Sequence, residues 1–225
     1  MSQSSLTLDL RLDGPSLTAA LCDIPSVSDE EKAIADAVEA ALRTAPHLDV
    51  VRDGDSIVAR TSQGLAERVV IAGHLDTVPI ADNLPTWREG DVLWGRETAD
   101  MKGGVAVALR LATTVASPTR DVTYVFYDHE EVAAQANALG RLAREKPELL
   151  AGDFAVLMEP TSAVVEGGCN GTMLVDVIVP GRAAHSARSW MGVNAIHAAA
   201  AVLDRLGAYE PAEVEVDGLH YREGL

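Results

Sequence analysis

His74, Asp100, the Glu130–Glu131 pair and Glu159 each follow, or pack against, a run of apolar residues that reads as a buried strand. Their contexts are VVIAGHLDTVP, WGRETADMKGG, VTYVFYDHEEV and FAVLMEP. Imidazole and carboxylate groups therefore emerge where hydrophobic segments give way to loops, which in an open α/β sheet is where ligands bind. Carboxylates gathered in one cleft repel one another unless cations are present. Two divalent ions would remove that difficulty, so the pattern points to a two-metal hydrolytic centre.

Taken singly, each motif has a plainer reading. His74 and Asp76 are two apart on a presumed strand and share a face, as a metal ligand and its supporting acceptor would, but HxD also suits an ordinary strand end. Asp100 precedes a helix and could be an N-cap. Glu130–Glu131 could be a solvated acidic turn; alternatively, one carboxylate holds metal while the other serves as general base. Glu159 precedes Pro160, which restrains it to extended geometry, or it is an edge-of-sheet carboxylate. Convergence of four strand ends favours the metal-centre reading.

Composition narrows the class. A chain of 225 residues, 48% hydrophobic, can bury one good core and part of a second unit. A formal charge of -16, from 18 Lys+Arg against 34 Asp+Glu, argues against nucleic acid and anionic membrane as partners. No long uninterrupted apolar stretch and no signal-like start occur, so a soluble cytoplasmic protein is expected. Cys22 and Cys169 are far apart and lack CxxC spacing, which suggests small packing residues rather than a disulfide or thiolate site.

The elements that must position these groups follow from periodicity. SVSDEE reads as a capping-type start to a helix over 26–45, with Ile34, Ala35, Val38 and Leu42 at helical spacing. LDVVRDGDSIVAR predicts a hairpin, and ERVVIAGHLD a buried strand ending at His74. Residues 79–95 read as a polar loop over a functional edge, followed by helix after Lys102. DVTYVFYD and DFAVLMEP predict strands, with a helix over ANALGRLAREKPELL between them. The class is α/β, a mixed sheet flanked by helices. Near Gly167–Gly168 the style changes: CNGTMLVDVIVPG reads as a strand, GVNAIHAAAAVLDRL as a helix and AEVEVDGLHYREGL as a hairpin. The expected organisation is a metal-binding domain over 1–168 and part of a smaller α+β domain over 169–225.

GHLDTVP, GRETADMKGG, the EE pair, MEP and GRAAHSARSWMGVNAIH, in this order, resemble the M20 family of dinuclear zinc amidohydrolases and peptidases. YDHEEV, VEGGCNGT and VDGLHYREGL look most like its actinobacterial succinyl-diaminopimelate desuccinylase type. The resemblance covers nearly the whole chain and implies a zinc-exopeptidase-like catalytic domain with a dimerisation domain. It implies two Zn²⁺ per subunit, with Co²⁺ as a possible substitute. His74 and Glu159 would hold one ion, Asp100 would bridge, Glu131 would hold the second, and Asp76 would support His74. Glu130 would be the base that hydrolyses an N-succinyl amide to succinate and LL-2,6-diaminopimelate, in lysine biosynthesis. His185 would reach the partner subunit's site in a homodimer and stabilise the oxyanion. Acetylornithine deacetylase, carboxypeptidase or aminoacylase activity on another N-acyl amino acid or peptide remains open, as does a non-catalytic metal-binding or dimerising remnant.

Three departures stand out. Glu97 occupies a position where the related motif has a small residue such as glycine, and is expected to face solvent. His129 precedes the glutamate pair where cysteine is common in this type. The sequence ends at Leu225 without the C-terminal histidine that completes the second zinc site in the family. A C-terminally truncated product with weak or no turnover is therefore expected, with His129 the nearest substitute ligand in sequence.

Overall fold

In the computed structural model, residues 7–225 are described, and they form two compact units, 7–162 and 163–225. The first unit opens with α1 (Gly14–Cys22), capped by Asp13, whose side chain accepts the Ser16 N–H at 2.8 Å. Next comes α2 (Lys32–Leu42), which buries Ile34, Ala35, Val38 and Leu42 as their spacing requires. This helix starts later than the capping reading of SVSDEE. Its N-cap Glu31 makes no side-chain cap bond, because the SVSDEE polar groups turn instead to the loop after His74.

The hairpin β1 (Asp49–Asp53) and β2 (Ser56–Arg60) forms around Gly54, whose φ of 59° needs the left-handed freedom of glycine. β3 (Arg68–His74) follows. Residues 79–95 are not all loop: they carry a small hairpin, β4 (Trp87–Glu89) and β5 (Val92–Trp94), clamped by stacking of Trp87 on Trp94. α3 (Lys102–Thr114) leads to β6 (Asp121–Tyr127), every residue of which is buried. The helix expected over 136–150 is two, α4 (Ala138–Glu145) and α5 (Pro147–Leu150). The break falls at Lys146, where the following proline disfavours helical geometry. β7 (Phe154–Leu157) closes the set.

The main sheet runs β1-β2-β6-β3-β7, antiparallel through β1, β2 and β6 and parallel through β6, β3 and β7. Period-two alternation splits its side chains between two cores. Ile57, Ala59, Tyr124 and Phe126 pack with α1, α2 and α3, whereas Val58, Val70, Val125 and Tyr127 pack with Ala138, Leu142 and Leu149 of α4 and α5. Helices thus cover both faces, and the carboxyl ends of three adjacent parallel strands come out together. His74 is in register with Tyr127, and Ala72 with Leu157.

The second unit has a 3-10 helix at Ser186–Met191, α6 (Ala195–Gly207) capped by Asn194, and a hairpin of β8 (Glu213–Val216) and β9 (Leu219–Arg222). The strand expected over 169–181 does not form: among the described residues no neighbouring strand offers it a ladder, and without one an extended apolar segment is not a strand. Cys22 is buried, as expected of a packing residue, but Cys169 is exposed, and both are free thiols. Among the described residues no helix is long and apolar enough to cross a membrane.

Candidate metal centre

His74 ends β3 almost fully buried. Its Nδ1 lies 2.9 Å from the Asp76 carbonyl, and since a carbonyl only accepts, Nδ1 carries the proton. In the neutral ring Nε2 then presents a lone pair, and it faces Asp100 Oδ1 at 3.4 Å. Asp100 does not cap α3: the cap position is Met101, with no side-chain cap bond. The motif's paired glycines serve packing here. A Cβ on Gly104 would collide with the Met158 carbonyl oxygen and come within 2.8 Å of Met158 Cβ, so glycine lets α3 approach the exit of β7.

Asp76 supports His74 through its backbone, while its carboxylate does something sequence adjacency did not suggest. Oδ1 accepts the Glu130 N–H at 2.9 Å, and Oδ2 accepts the Glu131 N–H at 3.0 Å and the Ser28 hydroxyl at 2.8 Å. Nδ1 of His74 is 3.6 Å from Oδ1, beyond a hydrogen bond. Asp76 thus ties the turn after β6 to the end of β3, and Ser26 adds a 2.7 Å bond to the Leu75 carbonyl.

Ligand-competent atoms of His74, Glu97, Asp100 and Glu131 all lie within 4.8 Å of one another. Glu159, two residues past β7, stands close enough to this group for Asp100 to add to burial in raising its pKa. Glu97 does not face solvent, contrary to expectation: it is 7% exposed and its Oε2 is sealed without a hydrogen-bond partner. Its φ of 65° lies in the left-handed region, which explains why a glycine suits this place in the motif.

The electrostatics are those of acceptors crowded together. Burial, then the charges of Glu131 and Asp100, pushes the Glu97 carboxyl up to about 7. Burial, then the proximity of Asp100, takes Glu159 to about 7, and burial also raises Glu131. Burial alone disfavours the His74 imidazolium, but the Asp76 carbonyl and the Asp76, Glu159 and Glu130 charges outweigh it and raise the pKa. One ring nitrogen and several carboxylate oxygens converge, and one buried oxygen lacks a donor. This donor set fits a divalent cation.

His129 is not a substitute ligand. Its Nδ1 lies 2.7 Å from Asp128 Oδ2 and its Nε2 3.0 Å from Asp29 Oδ1, with Glu31 Oε1 at 3.4 Å. Burial opposes its charge, but hydrogen bonds to Asp29 and Asp128 lift its pKa to about 8, so both nitrogens are donors. Ser28, Asp29, Glu31 and Lys102 are structural parts of the site that motif reading passed over. Lys102 is buried, directs Nζ at the Ile24 carbonyl at 3.1 Å, and is lowered to about 8 by burial. The signal for the first three was the run of small polar and acidic residues before α2, read only as a cap. In the second unit, His185 Nδ1 accepts the Ala187 N–H at 3.1 Å.

The family model described as Peptidase family M20/M25/M40 matches residues 70–219, from β3 to β9. The chain belongs to the M20 family. M20 proteins are metal-dependent hydrolases, in keeping with the donor set above. A Mycobacterium tuberculosis protein named for succinyl-diaminopimelate desuccinylase activity is 56% identical over 219 residues, which make up 97% of this chain and 62% of that protein. The succinyl-diaminopimelate desuccinylase of Corynebacterium glutamicum is 49% identical over 97% of this chain and 60% of its own length. The chain thus spans about three-fifths of these two M20 relatives. A solved tripeptidase of Staphylococcus aureus shares the fold at 16% identity, with a TM-score of 0.57 over 96% of this chain and 64% of that one.

Proposed function

We propose that the chain carries the metal centre of an amide hydrolase that cleaves N-succinyl-LL-2,6-diaminopimelate to succinate and LL-2,6-diaminopimelate, in the cytoplasm. The observation that carries the metal centre is the facing of His74 Nε2 and Asp100 Oδ1 at 3.4 Å, with Nδ1 already committed to the Asp76 carbonyl. A ring nitrogen and a carboxylate oxygen held so close, among further carboxylates, call for positive charge between them, which a metal ion supplies in place of the Nε2 proton. The substrate rests on the 56% and 49% identical relatives.

His74, Asp100, Glu131 and Glu159 would hold two ions, Zn²⁺ in the first instance and Co²⁺ as an alternative, with Asp100 between them. Bound there, the cations supply Lewis-acid polarisation of the amide carbonyl and a lower pKa for water. Glu130, its backbone fixed by Asp76, takes the proton of the attacking water and delivers it to the leaving amine. Asp76 holds His74 and the glutamate turn in register. His185, whose Nδ1 is occupied as an acceptor, keeps its Nε2 proton for a developing oxyanion. In this reading it acts in a homodimer formed through residues 163–225.

A substrate panel on the Zn²⁺- or Co²⁺-loaded chain tests this. Slow, metal-dependent succinate release from N-succinyl-LL-2,6-diaminopimelate, in preference to deacetylation of N-acetylornithine or trimming of peptides, is expected. Preference for either competitor overturns the substrate, and metal binding without hydrolysis of any of them overturns the catalytic reading.

A further inference from the structure

Glu97 has no part in the roles above, yet its surroundings single it out. Only 7% of the residue is exposed, and Oε2 is closed off from water with no donor. A buried carboxylate oxygen in that condition needs a hydrogen-bond donor or a cation. The groups it faces leave it without a donor: Asp100 and Glu131 offer carboxylate oxygens, and His74 turns Nδ1 to the Asp76 carbonyl and Nε2 to Asp100. Lys102, the buried ammonium of this region, directs Nζ at the Ile24 carbonyl. The backbone at Glu97 is left-handed, a conformation glycine adopts without strain, so a long acidic side chain here is not demanded by the turn.

We propose that Glu97 is itself a ligand of the metal centre, adding its carboxylate to the donors offered by His74, Asp100 and Glu131. This rests on the metal-centre reading above and goes beyond it by adding a ligand particular to this chain. One imidazole with three carboxylates suits Zn²⁺, Co²⁺ or Mn²⁺ better than a soft ion such as Cu⁺, which prefers sulfur.

Co²⁺ titration of the full 225-residue chain, followed by visible d–d absorption and by calorimetry, tests the assignment on wild type, Glu97→Gln and Glu97→Gly. Ligation predicts that both variants weaken Co²⁺ binding by about tenfold or more and shift the d–d bands, since the coordination set has changed. Glu97→Gly keeps the left-handed turn, so the metal-free variant should melt at or above the wild-type temperature, which separates lost ligation from lost folding. Weakened affinity with unchanged d–d bands means that Glu97 acts only as a nearby charge, and overturns ligation. Unchanged affinity and bands overturn it too, leaving the metal centre standing. Failure of the wild type to bind Co²⁺ at all overturns the metal centre itself.

Discussion

The carboxylate of Asp76 grips the backbone of Glu131: Oδ2 accepts its N–H at 3.0 Å, as Oδ1 accepts that of Glu130 at 2.9 Å. Two adjacent strand ends, β3 with His74 and β6 with the glutamate turn, are thereby held together by one side chain. The bond from Ser28 completes its coordination.

Replacing Asp76 with Asn tests this tie. The amide offers one acceptor oxygen where two backbone N–H groups wait, so its NH₂ must confront a donor. We expect a loss of about 1–3 kcal/mol in stability and a fall of about 10- to 100-fold in metal affinity. Chemical denaturation and Zn²⁺ competition titrations measure the two. Unchanged affinity would show that the turn holds its place without Asp76.

Glu130→Gln separates base from ligand. The backbone N–H that Asp76 uses survives the change, so stability and metal stoichiometry should stay at wild-type values. Turnover of the N-succinyl substrate should fall by about 10²- to 10⁴-fold. Retained turnover would remove Glu130 from proton transfer.

Gly104→Ala probes the approach of α3 to the exit of β7. The added methyl meets the Met158 carbonyl oxygen and Cβ, next to Glu159. Overpacking should cost about 1–3 kcal/mol and displace the Glu159 carboxylate, weakening metal binding. A thermal melt with and without Zn²⁺ reads both effects, and a neutral result would mean that helix and strand can separate freely.

At the far end of β6, Asp121 gives a pH prediction independent of metal. The N–H of Gln63 is the main stabiliser of its charge, opposed by burial and aided by the Thr61 hydroxyl, the Leu65 N–H and Arg68, and its pKa drops from 3.8 to about 2. A depressed folded-state pKa means the contribution is whole above about 3.8 and disappears as pH falls through about 2. Asp121→Asn should therefore be less stable at neutral pH by about 1–3 kcal/mol and lose less stability between pH 4 and 2 than the wild type. Parallel acid titrations of the two proteins by circular dichroism would show it.

His74 and Glu131 could be picked out from sequence because each lies where an apolar run gives way to a loop, and parallel strands bring such stops to one edge; Asp100 was marked instead by the glycines and the helix start that follow it. Glu97 could not be picked out in either way. Its burial depends on a backbone turn that brings residues 97–100 back towards β3, and motif comparison showed only that a small residue is usual there. The dual use of Asp76 was hidden for a related reason: spacing shows that it shares a face with His74, whereas its partners at 130 and 131 are fixed by sheet register. The missing strand over 169–181 shows the limit of alternation, which reports a pattern of faces but not the presence of a neighbour.

The stacked pair Trp87–Trp94, with centroids 6.1 Å apart and planes 9° from parallel, sits on the hairpin leading into the Glu97–Asp100 segment. Two indoles so disposed couple as a chromophore dimer, while Trp190, the third tryptophan, lies in the other unit. The chain therefore carries an optical gauge on the hairpin that precedes its candidate metal ligands in sequence. The far-ultraviolet exciton couplet of the pair should follow the order of that hairpin as metal or substrate is added, without a label, and Trp94→Phe should extinguish it.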